Sequence, residues 1–124
     1  MRAPLLLALP LLCAAADGPV VPTSPPDTWL PRTTAELQVL DKVNAQSATL
    51  TLKVGQAADN ASLSIALRGC AVRPPDLPQD ATAYLDIADS RKGAPGFHGW
   101  IFANEPAVSM LEHPLYDLRL LGCR

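Results

Sequence analysis

The strongest constraint on the fold of this chain is a series of short segments in which apolar and polar residues alternate. In residues 48–54, Leu50, Leu52 and Val54 fall on one side and threonine and lysine on the other, and residues 62–67 repeat the pattern. A side-chain period of two is typical of a β-strand with one buried face. Such strands predict an antiparallel sheet whose second face is solvated.

The remaining segments extend this pattern along the chain. Strands are predicted over residues 36–42, over residues 83–87, around Trp100 and from Tyr116 onward. Pro106 predicts one short helical turn, since proline fits the first turn of a helix but not its interior. With about six strands and this one turn before the last strand, the predicted fold is all-β, a small antiparallel β-sandwich or barrel.

The first sixteen residues predict a secretory signal peptide. A basic Arg2 is followed by an uncharged apolar run, and three alanines ending at Ala16 stand just before the first acidic residue, Asp17. The run is shorter than the roughly 20 residues of a stable membrane anchor, so no membrane span is expected in the mature chain. Lipidation of Cys13 is an open alternative to its removal, although the leucines before it fit a lipoprotein signal poorly.

A proline-rich tether is predicted over residues 17–34, between the cleavage site and a β domain over residues 35–124. Its prolines favour extended, solvated backbone and cannot supply a regular ladder of hydrogen bonds. Within the tether, Trp29 is interpreted either as a spot that docks on the domain or as an exposed aromatic that could bind a partner.

Two cysteines remain if Cys13 leaves with the signal peptide. In an exported chain, Cys70 and Cys123 predict one disulfide. Each of them directly follows a glycine, and a glycine within a strand often marks a bulge that turns the next residue to the other face. Two such bulges would bring both sulfurs into the core; without them, the bond would lie on the outer face.

The charge of the mature chain excludes one class of partner. Removal of the signal peptide leaves nine basic and twelve acidic side chains, with no basic stripe among them. Proteins that bind nucleic acids carry such stripes, so no nucleic-acid partner is expected.

Several spaced motifs together resemble the DUF2155 family of exported, mostly alphaproteobacterial proteins, over about residues 37–124. The motifs are Leu40-Asp-Lys-Val43, Cys70 followed by Arg73-Pro-Pro75, Gly99-Trp-Ile-Phe-Ala103, Pro106-Ala107, Glu112-His-Pro-Leu-Tyr-Asp117 and the terminal Cys123. The resemblance implies a periplasmic location and a pair of bonded cysteines, but no mechanism. Arg119 stands where the family usually has an aromatic residue, two positions after the Tyr-Asp pair.

The only candidate metal or acid–base centre combines His98, His113 and Asp117. These residue types can ligate a metal or transfer protons, yet their spacing matches no established metal-ligand pattern. A histidine at the end of a helical turn can instead cap the last carbonyls of that turn. We therefore interpret His113 as a structural residue.

Two functions remain open. The favoured one is a non-catalytic periplasmic module or assembly accessory that binds an envelope protein, without a cofactor, with Trp29 and Trp100 as candidate partner-binding residues. The alternative is a small hydrolase or metal-binding protein centred on His113.

Overall fold

The computed structural model describes Pro4 and residues 28–124, so the predicted signal peptide (Pro4 apart), with Cys13, and most of the predicted tether lie outside the described residues. The described part is all-β and confirms the predicted fold class. Its elements are β1 (Leu30–Pro31), β2 (Thr34–Asp41), β3 (Gln46–Lys53), β4 (Ala57–Asn60), β5 (Leu63–Val72), β6 (Ala81–Asp89), β7 (Phe97–Phe102), a 3₁₀ turn (Pro106–Val108) and β8 (Tyr116–Cys123).

These strands form two antiparallel sheets. The five-stranded sheet has the order β1-β5-β6-β7, with β4 beside β1 on the same edge of β5, and the three-stranded sheet has the order β3-β2-β8. The sheets face each other as a sandwich. Two short strands, β1 and β4, were not predicted. Strand β4 is made of alanine, aspartate and asparagine, which have little β propensity, and β1 lies within the predicted proline-rich tether.

The core lies between the two sheets and follows the alternation in the sequence. From the three-stranded sheet, β2 contributes Leu37 and Val39, which are at most 2 % exposed. From the five-stranded sheet, β5 and β6 contribute alternate residues, among them Ile65, Leu67 and Leu85, which are fully buried. In β2 and in β5 up to Leu67 the most buried side chains are therefore every second one, as the period of two predicts. In β6 the residues from Ala81 to Leu85 are all buried, because the aromatic side chains on the outer face of this sheet cover that side as well.

Two β-bulges decide where the cysteines point. An extra residue precedes each glycine, Arg68 in β5 and Leu121 in β8, and shifts the register at that point. As a result Cys70 faces the core and is 2 % exposed, and its Cα lies 6.0 Å from that of Cys123, at disulfide distance. Of the two arrangements left open by the sequence, the structure has the one in which bulges turn both sulfurs inward. The pair links the two sheets.

The end of the predicted tether packs on the sandwich. Trp29 is 8 % exposed, and its ring centroid lies 6.0 Å from that of Phe102. The guanidinium of Arg73 lies over the same ring at 4.7 Å. Trp29 therefore docks on the domain. Within residues 28–124, no helix is long and apolar enough to cross a bilayer.

Candidate functional site

His113 lies in the segment between the 3₁₀ turn and β8, and its ring is completely buried. Its Nδ1 accepts hydrogen bonds from the backbone N–H groups of Leu115 at 3.0 Å and Tyr116 at 3.3 Å. The ring thus caps the start of β8. The predicted cap on the carbonyls of the helical turn is wrong, because the imidazole nitrogen accepts from the residues after it.

The other ring nitrogen faces a buried carboxylate at the end of β6. His113 Nε2 lies 2.8 Å from Asp89 Oδ2, and the side chains of both residues are inaccessible to solvent. Arg91 completes the cluster: its backbone N–H donates to Asp89 Oδ1 at 2.9 Å and its Nη2 to Oδ2 at 2.8 Å. Both oxygens of this carboxylate are therefore satisfied.

These contacts fix the protonation of the imidazole. Since Nδ1 accepts from two backbone N–H groups, it carries no proton, and Nε2 must carry the ring's hydrogen and donate it to Asp89. Arg91 Nη2 also lies 3.4 Å from Nε2. Because both nitrogens carry hydrogens and act as donors, they cannot form a hydrogen bond with each other, and this is only a close contact. Neither nitrogen is free to accept a proton from a substrate or to ligate a metal.

The cluster joins the two sheets at one corner of the sandwich, which we call the His113 corner (Lys42, Asp89, Arg91, His113 and Tyr116). Lys42, after β2, donates to the backbone carbonyl of His113 at 2.7 Å. The imidazole packs on the ring of Tyr116 at 5.1 Å between centroids, and the guanidinium of Arg91 lies 5.7 Å from the centre of the same ring. The end of β6 is thereby tied to β2 and β8 of the opposite sheet.

The electrostatics of the corner favour an ionised Asp89. Hydrogen bonds from the Arg91 side chain, then from its backbone N–H and from His113, hold the pKa of Asp89 well below its usual range, although burial opposes this. The buried Ser62 hydroxyl makes no hydrogen bond of good geometry within the described residues, yet it is close enough to add to the lowering of this pKa. The carboxylate is therefore held as an anion that accepts from its neighbours.

Acidification is expected to destabilise the domain below about pH 4. Because the pKa of Asp89 is lower in the folded chain than in the unfolded chain, its stabilising effect is present above the unfolded value and is lost as the pH falls. The pKa of Asp86 is lowered as well, first by the hydrogen bond from His98 and then by that from Arg68. Protonation of Asp86 therefore also destabilises the fold as the pH falls. Urea midpoints at about pH 7, 5 and 3 measure this loss.

A matched pair of variants assigns the pH dependence to the corner. Asp89→Asn should be less stable at neutral pH and should show a flatter pH dependence, because the group that titrates has been removed. Asp76→Asn changes an exposed aspartate of the 73–80 loop and should keep the wild-type dependence. An Asp89→Asn variant with the wild-type slope would contradict this assignment.

The three residues of the predicted metal centre do not converge. His98 lies on the solvent side of β7, where its Nδ1 contacts Asp86 at 2.7 Å, and Asp117 lies on the solvent side of the other sheet, 3.7 Å from Arg119. Only His113 is at the corner. Within the described residues, no three His, Cys, Asp or Glu side chains are grouped so as to hold a metal ion.

Asp89 and Arg91 were not predicted as neighbours of His113, because both lie beyond the strand predicted over residues 83–87. The available signal was local: an aspartate at the end of a strand with arginine two residues later is a candidate Asx turn. It did not reveal that His113, 24 residues further on, would meet the same carboxylate.

A second candidate site is the aromatic face, formed by Trp29, Tyr84, Trp100 and Phe102 on the solvent side of the five-stranded sheet. Register brings Trp100 opposite Tyr84, with ring centroids 5.4 Å apart and an angle of 82° between the rings. Trp29 and Tyr84 are buried, whereas Trp100 and Phe102 remain half-buried. Ile101 takes the core side of β7, so Trp100 and Phe102 share the solvent side of this strand.

Together, these features define a small two-sheet β-sandwich whose sheets are linked by a cysteine pair and by a buried Asp-His corner. The chain belongs to the DUF2155 family, described as an uncharacterized protein conserved in bacteria, whose model matches residues 35–123. No curated protein and no solved structure matches the chain.

Proposed function

We propose that this chain is a non-catalytic module of the bacterial periplasm that binds a protein partner in the cell envelope. The observation that carries the proposal is the aromatic face. The solvated side of an antiparallel sheet is ordinarily polar, yet β6 and β7 place Tyr84, Trp100 and Phe102 there. Tryptophan, tyrosine and arginine are enriched among the residues that dominate binding at protein interfaces.

The surroundings of Trp100 fit a protein partner. Beside the aromatic face lies a polar rim in which Asp86 contacts Arg68 and His98, both at 2.7 Å. An aromatic centre with a charged rim is the usual anatomy of a transient protein interface. Trp29 is largely covered and packs against Phe102, whereas Trp100 is half-buried beside the exposed His98, so Trp100 is the residue we assign to direct contact.

Export is part of the proposal. It is supported by the predicted signal peptide, with cleavage near Ala16, and by the two cysteines at disulfide distance, since disulfides persist in oxidising compartments such as the periplasm. The absence of catalysis is supported by the His113 corner, because an acid–base residue needs a ring nitrogen within reach of a substrate, and both nitrogens of His113 are engaged.

Site-specific photo-cross-linking in the native bacterium tests this function. A photoreactive amino acid at His98, beside Trp100, is expected to give an adduct with one discrete envelope protein, in a chain whose N-terminus begins near Asp17. Trp100→Ala should reduce that adduct at least several-fold without a matching loss of melting temperature, because the aromatic face is separate from the core.

The matched control places the same photoreactive residue at Arg119, which is exposed on the solvent side of the opposite sheet. Equal adducts from both positions, or an adduct from His98 that Trp100→Ala leaves unchanged, would contradict binding through the aromatic face. A chain that retains Met1 would contradict export by a cleaved signal peptide.

A further inference from the structure

Strand β3 is an edge strand without the usual protection. Within residues 28–124 its only sheet neighbour is β2, and the pairing from Gln46 to Lys53 runs without a register shift. From residue 46 to residue 52 it holds no charge, proline or glycine. Natural edge strands are usually interrupted by lysine, proline or a bulge, which prevent pairing with another chain. Edge strand β8, by contrast, carries a bulge at Leu121 and charged residues on its solvent side.

Hydrogen bonding identifies the backbone groups of β3 that face outward. Val54 N–H donates to the carbonyl of Thr33 at 2.9 Å, so the even-numbered residues of β3 direct their backbone groups toward β2. The odd-numbered residues direct theirs away. Lys53 is covered, since its N–H donates to Gln56 Oε1 at 3.0 Å and its carbonyl accepts from Gln56 N–H at 2.9 Å. Within the described part of the chain, the outward backbone groups of Ser47, Thr49 and Thr51 are left without a hydrogen-bond partner.

We infer that two copies of this chain pair through their β3 strands, antiparallel and centred on Thr49. In this register Thr49 lies opposite Thr49 of the second copy, and Ser47 lies opposite Thr51. Each of the three outward-facing residues then exchanges both backbone hydrogen bonds with its counterpart. A register centred on Leu50 would place Ser47 opposite Lys53, whose backbone groups are already occupied.

The side chains also favour a second copy in this register. On the solvent side, hydroxyl residues face hydroxyl residues, and such cross-strand pairs are mildly stabilising. On the core side, the small Ala48 lies opposite the larger Leu50, which is only half-buried in the single chain and packs against the edge of the core. No charged residue of the paired segment opposes another, because the segment holds none.

Pairing produces a continuous six-stranded sheet, three strands from each copy. The aromatic face lies on the other sheet of the sandwich and stays accessible in each copy. Pairing through β3 is therefore independent of partner binding through the aromatic face, and separate experiments test the two.

Cysteine cross-linking of the full mature chain tests the register. Thr49→Cys is expected to form a disulfide-linked dimer under mild oxidation, because directly opposed Cα atoms are about 5.5 Å apart. Thr51→Cys is the matched control: it lies four residues out of register with its own copy, roughly 13 Å, which is beyond disulfide reach. A mixture of Ser47→Cys and Thr51→Cys chains should again cross-link.

Sedimentation measures the association without a cross-link. The wild-type chain is expected to sediment with twice the mass of one chain. Thr49→Lys, which places two like charges face to face, should sediment as a monomer with an unchanged circular dichroism spectrum. A wild-type monomer at every concentration, equal cross-linking of Thr49→Cys and Thr51→Cys, or cross-linking of Thr49→Cys only to a different protein would overturn the inference.

Discussion

Replacement of Cys123 by alanine is expected to lower the free energy of unfolding by about 4 kcal/mol, the largest effect of any single substitution considered. The predicted bond between Cys70 and Cys123 closes a loop of 53 residues, and a cross-link of that span restricts the unfolded chain strongly. A domain of this size has a total stability of roughly 5–15 kcal/mol, so the loss is a large share of the total and the variant should unfold at a clearly lower temperature. Urea denaturation at neutral pH measures the difference.

The set of Cys70→Ala, Cys123→Ala and the double variant separates the cross-link from side-chain packing. If the covalent bond accounts for the loss, the double variant should be about as stable as either single variant, because the bond can be removed only once. Losses that add, or a wild-type protein whose mature form shows two alkylatable thiols, would contradict the disulfide.

His113→Ala is expected to lower the free energy of unfolding by about 2–4 kcal/mol. The substitution leaves the N–H groups of Leu115 and Tyr116 without their acceptor and removes one donor from the buried carboxylate of Asp89. It also opens a space beside Tyr116. The variant should refold with a slower formation of the disulfide, because the corner holds the start of β8 in register.

Two conservative variants divide this effect between the ring nitrogens. His113→Asn retains an acceptor near the position of Nδ1, and His113→Gln retains a donor that can reach toward Asp89. Each should recover part of the stability lost in His113→Ala, since each restores one side of the hydrogen bonding. Variants that are as stable as the wild type, with loss of an activity or of a bound metal instead, would support a reaction centre at His113.

Much of the fold could be predicted because apolar and polar residues alternate within each of the longer strands. Leu50 and Leu52, or Ile65 and Leu67, reveal a strand and its buried face without any knowledge of neighbouring strands. The glycines before Cys70 and Cys123 likewise marked two bulges. By contrast β4 has almost no local signal, since its alanine and asparagine residues form a strand only because β5 is there to pair with.

The candidate site was less predictable, because it depends on contacts between distant segments. His113 was singled out by its residue type, but its partners were set by the meeting of β6 with the segment before β8. His98 and Asp117 were grouped with it on residue type alone, and the alternation of their strands directs both of them to solvent. Residue type suggested the chemistry; sheet topology decided which groups could meet.

The most direct test of the central claim, that His113 is a structural residue, is the nitrogen NMR spectrum of its imidazole in the wild-type protein. The long-range proton–nitrogen correlations are expected to show a neutral ring protonated at Nε2, with signals that remain unchanged when zinc is added. A ring protonated at Nδ1, or ring signals that shift with stoichiometric zinc, would contradict this account and would favour a metal-binding or catalytic centre.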